Sequence, residues 1–219
     1  MTGPADQRLI VFLHGMGQSP QSWQDQVVAL PTGTRAVAPW VYGMRPGRND
    51  TFTLVAAADD VARTLDLQGV ERAVVCGVSL GSRIALEFAV RHADRVDSVI
   101  AAGPPARLPW VARASQRLAT RLIPRSVYAN QGIDKSKVVA AGGEVGRIAA
   151  YADVERVAVR VLLLAGSKDP GGVATARQLG ERIDRSVVQV IDGAGHLVNA
   201  EAPEDFNRAV ADFLTQHRA

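Results

Sequence analysis

Gly77-Val78-Ser79-Leu80-Gly81 stands between an apolar run that ends at Cys76 and an amphipathic stretch that begins at Ser82. The apolar run is typical of a buried strand and the stretch after it is typical of a helix. The five residues therefore predict a sharp turn from strand to helix. In such a turn the serine has strained backbone geometry, and small neighbours such as Gly77 and Gly81 let the strand and the helix approach closely. The motif predicts a serine hydroxyl held above a sheet, at a helix N-terminus that stabilises developing negative charge.

The rest of the chain repeats this alternation of apolar, β-branched runs with longer amphipathic stretches. The pattern is typical of a parallel sheet with helices on both faces. The predicted fold class is therefore α/β, a doubly wound and mostly parallel sheet of about six strands. The predicted strands are 9–13, 35–38, 73–76, 96–102, 160–165 and 186–191. The clearest predicted helices are 54–67, 82–92, 173–182 and 204–217.

One interval is too long for a simple crossover between strands. Residues 104–151 contain four prolines and no strand pattern, so we expect a short helical cap inserted into a single-domain core of residues 1–103 and 152–219. The cap interval has eight basic residues against two acidic ones. This excess suggests an anionic substrate, although a solvated helix face is the favoured explanation. Trp110 is a candidate substrate-binding residue that would line an acyl pocket.

The composition excludes several classes of protein. The single cysteine excludes an internal disulfide framework. The sequence contains no cluster of Cys and His residues that would suggest a metal site. No apolar run approaches the roughly 20 residues of a membrane span. The first apolar run lacks the flanks of a signal peptide, so we expect a cytoplasmic protein. The net charge of +3 comes without a recognisable nucleic-acid-binding motif, so nucleic acid is not an expected partner. The oligomeric state has no signal in the sequence.

Four short motifs, each after a predicted strand, resemble those of the α/β-hydrolase family. They are His14-Gly15-Met16-Gly17, Gly77-Val78-Ser79-Leu80-Gly81, Gly166-Ser167-Lys168-Asp169 and Gly193-Ala194-Gly195-His196. The resemblance extends over about residues 8 to 217 and follows the family's order of serine, acid and histidine. It implies Ser79 as nucleophile, Asp169 as the acid and His196 as general base, with the backbone N–H groups of Met16 and Leu80 as an oxyanion hole. It implies no cofactor and no metal.

Three other residues compete for roles in this site. Asp192 is the rival acid, but it stands at the end of a predicted strand, where aspartates commonly make local hydrogen bonds. His14 is either a candidate substrate-binding residue or a hydrogen-bonded structural histidine, and the second interpretation is favoured because His196 already fits the base position. Cys76 ends a buried strand, where a free cysteine usually behaves as a small apolar residue.

These residues predict a serine hydrolase that cleaves a carboxylic ester, lactone or thioester of a small to medium substrate through an acyl-enzyme. Arg83, one helical turn after Ser79, is a candidate ligand for an acidic substrate or a cation that packs the helix. The run 79–83 also resembles the menaquinone-pathway synthases of this family, although Val78 departs from their aromatic residue. Two alternatives follow: a lyase or carbon–carbon hydrolase using the same residues, and a non-catalytic ligand-binding relative.

Overall fold

The computed structural model of the protein describes residues 8–106, 122–129, 134–148 and 151–215. The strands in these ranges are β1 (Arg8–Leu13), β2 (Thr34–Val37), β3 (Ala73–Val78), β4 (Val96–Ala102), β5 (Arg160–Gly166) and β6 (Ser186–Ile191). They form one sheet in the order β2-β1-β3-β4-β5-β6, and every neighbouring pair is parallel. The predicted α/β fold class, with its doubly wound parallel sheet, is confirmed.

Helices of the described ranges cover both faces of the sheet. They are α1 (Gln24–Val28), α2 (Leu54–Leu67), α3 (Leu80–Arg91), α4 (Arg125–Ala129), α5 (Lys135–Ile148), α6 (Pro170–Arg182), α7 (Val198–Glu201) and α8 (Pro203–Thr215). Helices α2, α3 and α6 contribute to the core on one face, and α7 and α8 to the core on the other. None of the described helices is both long enough and apolar enough to cross a bilayer.

The strands read as continuous apolar runs because their side chains point alternately into two cores. Leu9, Val11 and Leu13 of β1 pack against one set of helices, whereas Ile10 and Phe12 pack against the other. All five are 2% exposed or less. Both faces of β1 are therefore removed from water, which is why this strand lacks polar alternation.

The parallel arrangement brings all carboxyl ends of the strands to one edge of the sheet, where ligands bind in open α/β folds. Four loops begin at this edge, after β1, β3, β5 and β6. They carry His14, Ser79, Asp169 and His196, respectively. The fold thus gathers side chains that are far apart in sequence.

Helices α4 and α5 are the described part of the interval 104–151. Val138 and Ala141 of α5 are buried, and the Lys137 ammonium donates to the carbonyls of Gly43 and Asp50, each at 3.3 Å. This helix is thereby attached to the loop that follows β2. The division into a core and a cap remains a proposal, and residues 107–121, with Trp110, lie outside the described residues.

Candidate active site

Ser79 occupies the turn between β3 and α3 in a strained conformation, with φ 52° and ψ −115°. This is a positive φ that non-glycine residues rarely adopt. The turn is held because the Ser79 N–H donates to the Ala102 carbonyl of the neighbouring strand at 2.9 Å. A side-chain carbon at Gly77 would overlap the Gly81 backbone, and one at Gly81 would overlap the Leu13 carbonyl. Both glycines are therefore needed for α3 to approach β3 and β1.

A chain of two hydrogen bonds joins the three side chains at this edge. The Ser79 hydroxyl lies 2.9 Å from Nε2 of His196, and Nδ1 of His196 lies 2.7 Å from Oδ2 of Asp169. With Nδ1–H donating to the carboxylate, Nε2 carries the lone pair that accepts the serine proton. The imidazole side chain is 44% exposed and that of Asp169 is 20% exposed, so the histidine is open to a substrate while its acid is covered.

Asp169 is aimed at His196 because it also caps helix α6. Its Oδ1 accepts the Gly172 N–H at 2.9 Å, and Pro170 is the first helical residue. An aspartate cap followed by proline is a favoured helix start. One carboxylate oxygen is thus used by the helix, which leaves Oδ2 for the imidazole.

The two rivals for these roles lie elsewhere. Asp192 accepts a hydrogen bond from the Ser167 hydroxyl at 2.9 Å, and that hydroxyl accepts the Gly193 N–H. Asp192 therefore links the loop after β6 to the loop after β5, and within the described residues no hydrogen bond joins it to the imidazole. Cys76 is fully buried within β3, and burial raises the pKa of its thiol, so it carries no thiolate nucleophile.

The backbone N–H groups expected to form the oxyanion hole belong to Met16, in the loop after β1, and to Leu80, directly after Ser79. Leu80 begins α3, and a side-chain carbon at Gly15 would lie 3.4 Å from Cβ of Ser79. Within the described residues, neither Met16 N–H nor Leu80 N–H donates to a protein acceptor. The Gly15 carbonyl accepts the Gln18 N–H at 3.1 Å. Because the peptide is trans, this bond also sets the direction of the Met16 N–H.

His14 anchors the same loop from inside the core. Its Nε2 accepts the Val41 N–H at 3.1 Å, so Nδ1 carries the proton and donates to the Gly15 carbonyl at 3.0 Å. Burial lowers the pKa of His14 to about 4, against a smaller opposing effect of the Gly15 carbonyl. The ring is completely buried and both nitrogens are engaged, so this geometry favours the structural interpretation over substrate binding.

Arg83 is engaged by groups within the fold. Its guanidinium pairs with Glu87 on the same helix at 3.1 Å and lies over the Tyr151 ring, 5.0 Å from its centroid. The Arg83 side chain is only 6% exposed. The prediction that Arg83 binds an acidic substrate gains no support from this geometry, because the pair with Glu87 neutralises its charge inside the fold.

Two residues at the site had no assignment from the sequence. The Gln18 side chain accepts the Gly15 N–H at 2.9 Å, and the Glu201 carboxylate accepts the N–H groups of Gly195 and Leu197. Both act through short-range turns, which follow no repeating pattern. Their only sequence signal is a polar side chain a few positions from a motif glycine.

The chain is similar to known proteins over almost its whole length. It is 28% identical to 3-oxoadipate enol-lactonase 1 of Acinetobacter baylyi (strain ATCC 33305 / BD413 / ADP1), covering 98% of this chain and 91% of that protein. It is 22% identical to a Bacillus subtilis (strain 168) protein provisionally named a 2-succinyl-6-hydroxy-2,4-cyclohexadiene-1-carboxylate synthase, covering 97% and 92%. Among solved structures, the enol-lactonase from Burkholderia xenovorans LB400 superposes with a TM-score of 0.78 at 25% identity, covering 95% and 92%.

The model of one family matches residues 10–209. That range contains all four of the motifs and every strand after the start of β1. The relatives whose names state an activity are enzymes, and those with lactonase names are hydrolases. The chain belongs to the alpha/beta hydrolase family.

Proposed function

We propose that this protein is a serine hydrolase that cleaves a carboxylic ester, with a lactone as the favoured form. The observation that carries the proposal is the continuous hydrogen-bond chain from the Ser79 hydroxyl through His196 to Asp169. In this proposal Ser79 is the nucleophile, His196 the general base and Asp169 the acid that orients the imidazole. The strained backbone at Ser79 supports it, because such strain is typical of functional positions.

Acylation begins when His196 Nε2 removes the proton from the Ser79 hydroxyl as Oγ attacks the carbonyl carbon. The carbonyl oxygen becomes an oxyanion, which the N–H groups of Met16 and Leu80 bind. Asp169 stabilises the imidazolium that forms. The imidazolium then gives its proton to the leaving alkoxide as the carbon–oxygen bond breaks, which yields an acyl-enzyme and an alcohol.

Deacylation reverses the roles with water as the nucleophile. His196 removes a proton from water, hydroxide attacks the acyl carbonyl, and Ser79 leaves as the alcohol after regaining its proton. The exposed His196 ring is accessible to this water. In a lactone the leaving alcohol remains attached to the acid, so a single hydroxy acid is released.

Lactone hydrolysis is favoured over other acyl substrates because two of the compared proteins are named enol-lactonases. A cap formed by residues 104–151 would close only part of the site, which fits a small to medium substrate rather than a polymer. Thioester cleavage would use the same groups. The lyase alternative loses support from Arg83, whose guanidinium is paired with Glu87 rather than directed to a substrate.

The test is covalent labelling followed by turnover. Purified protein is incubated with a fluorophosphonate, its intact mass is measured, and hydrolysis of an aryl ester and an aryl lactone is followed by absorbance. We expect one phosphonyl group per chain on the wild type and none on Ser79→Ala or His196→Ala. Turnover should fall by about 10⁴-fold or more in both variants, because residues of a triad act as a unit.

Matched controls show whether the loss of activity is specific to the serine and histidine of the site. Ser136→Ala and His92→Ala change a serine and a histidine outside the site, where they bond to Asp134 and Asp59, and both should label and turn over as the wild type does. A wild-type protein that neither labels nor hydrolyses any of the esters would support the non-catalytic alternative. Labelling that persists in Ser79→Ala would assign the nucleophile to another residue.

A further inference from the structure

The loop that carries His196 is held by a carboxylate that has no place in the motif. Glu201 is the last residue of α7. Its Oε2 accepts the Gly195 N–H at 2.9 Å and its Oε1 accepts the Leu197 N–H at 3.0 Å. The N–H groups of the two residues that flank His196 are therefore bonded to one planar carboxylate.

The residue before His196 is shaped to admit this carboxylate. A side-chain carbon at position 195 would lie 2.6 Å from Oε2 of Glu201 and 3.2 Å from its carboxyl carbon. A residue other than glycine would therefore require the Glu201 carboxylate to shift from its present position. The glycine at position 195 and the glutamate at position 201 thus form one local unit around the histidine.

We propose that Glu201 is a positioning residue for His196, an inference that rests on the proposed serine-hydrolase function. Bonding both flanking amides limits the rotation of the His196 backbone, which sets where the imidazole points. The ring must reach Ser79 at 2.9 Å and Asp169 at 2.7 Å at the same time. A shift of about 1 Å in such a group costs on the order of 10²-fold in rate.

The loop is also held on its other side, which makes the role of Glu201 specific. The Lys168 N–H donates to the Ala194 carbonyl at 2.8 Å, so the start of the loop is bonded to the loop that carries Asp169. Without Glu201, the N–H groups of Gly195 and Leu197 lose their common acceptor. The histidine would keep its place in the fold but gain freedom relative to Ser79.

A carboxylate suits this position better than an amide does. Two N–H donors converge on Glu201, and an ionised carboxylate is an acceptor at both oxygens, whereas a glutamine offers one acceptor and one NH₂ donor. Bonds to an ionised acceptor are shorter and about twice as strong. The negative charge also favours the imidazolium that forms during acylation.

The test compares Glu201→Gln and Glu201→Ala with wild type, using an aryl ester. Glu204→Gln is the matched control, because Glu204 is an exposed glutamate in the first turn of α8. We expect Glu201→Gln to lower kcat by about 10-fold and Glu201→Ala by more, with KM changed by less than about twofold. The acid limb of the kcat/KM profile should move to lower pH, since removing the charge disfavours protonated His196.

Circular dichroism and urea unfolding are recorded for each variant. Glu201 is exposed, so water can solvate the two freed amides and the fold should persist. The proposal is overturned if Glu201→Gln keeps the wild-type kcat and pH profile, or if its loss of kcat only follows a loss of folded protein. Failure of the proposed function is a different result, because the wild type itself would then show neither turnover nor labelling of Ser79.

Discussion

The neutral imidazole of His14 is the clearest case of a side chain whose chemistry is decided by burial. Desolvation disfavours its protonated form and lowers its pKa from 6.5 to about 4. Protonation would also place a donor at Nε2, facing the Val41 N–H that this nitrogen now accepts. The loop after β1 therefore depends on a histidine that stays uncharged at neutral pH.

This environment predicts a loss of stability in acid. Above pH 6.5 the folded and unfolded states both hold neutral His14, whereas between pH 6.5 and 4 only the unfolded state takes up the proton. A depressed histidine pKa thus lowers the free energy of unfolding as pH falls through this window, by about 3 kcal/mol when complete. His14→Gln keeps a neutral acceptor without the titration. In urea unfolding, wild type should lose about 2 kcal/mol more than His14→Gln between pH 7.5 and 4.5; equal losses would show that His14 is not the source.

Most residues of the candidate site could be predicted because each motif follows a strand of a parallel sheet. Ser79, Asp169 and His196 are gathered by the fold itself. The partners of Arg83 were harder to foresee. Glu87 stands one helical turn away and its pairing follows from helix geometry, but Tyr151 comes from the far end of the cap interval. Only the packed structure shows that the charge of Arg83 is already satisfied.

Helix α3 packs closely on the sheet because Gly81 has no side chain. It starts at Leu80, earlier than the predicted Ser82, and α6 starts at Pro170 rather than Val173. The first turn of each helix contains glycine, which adds nothing to the apolar periodicity of a helix. A prediction from periodicity alone therefore places the start of each helix too late in the sequence. Short elements such as α1 and α7 were not predicted, because five or four residues show no period.

Two glycine-to-alanine changes should have opposite effects on stability. At Gly81 the new methyl group would overlap the Leu13 carbonyl of β1, so Gly81→Ala should lower the free energy of unfolding by about 3 kcal/mol. At Gly142 in α5 the nearest described atom, Met16 Sδ, lies 3.8 Å away, so Gly142→Ala should raise it by up to about 1 kcal/mol through helix propensity. Urea unfolding of both variants checks this, and a Gly81→Ala protein as stable as Gly142→Ala would contradict the close packing of α3.

For the molecule as a whole, the question is how the cap interval is joined to the core. Tyr151 is 4% exposed and lies at the end of the interval, and its hydroxyl donates to the Pro105 carbonyl near the beginning at 3.1 Å. Its ring lies under the Arg83 guanidinium, and its carbonyl accepts from Arg182 at 2.9 Å. One buried residue thus connects both ends of the interval with helices α3 and α6. This arrangement supports the proposed division at residues 104–151.

Tyr151→Phe tests this connection while keeping the ring beneath Arg83. The change leaves the Pro105 carbonyl without its hydroxyl donor, so the free energy of unfolding should fall by about 1 kcal/mol. Trypsin cleavage within 104–151 should become about 5-fold faster under native conditions, because local opening needs that much less free energy. Intact-mass analysis of the fragments locates the cuts.

Tyr42→Phe is the matched control. The Tyr42 ring also lies near a guanidinium, that of Arg63 at 5.9 Å from the ring centroid. The Tyr42 hydroxyl bonds to no protein group in the described residues. If both variants are cut at the wild-type rate, the hydrogen bond between Tyr151 and Pro105 does not hold the two ends of the interval together.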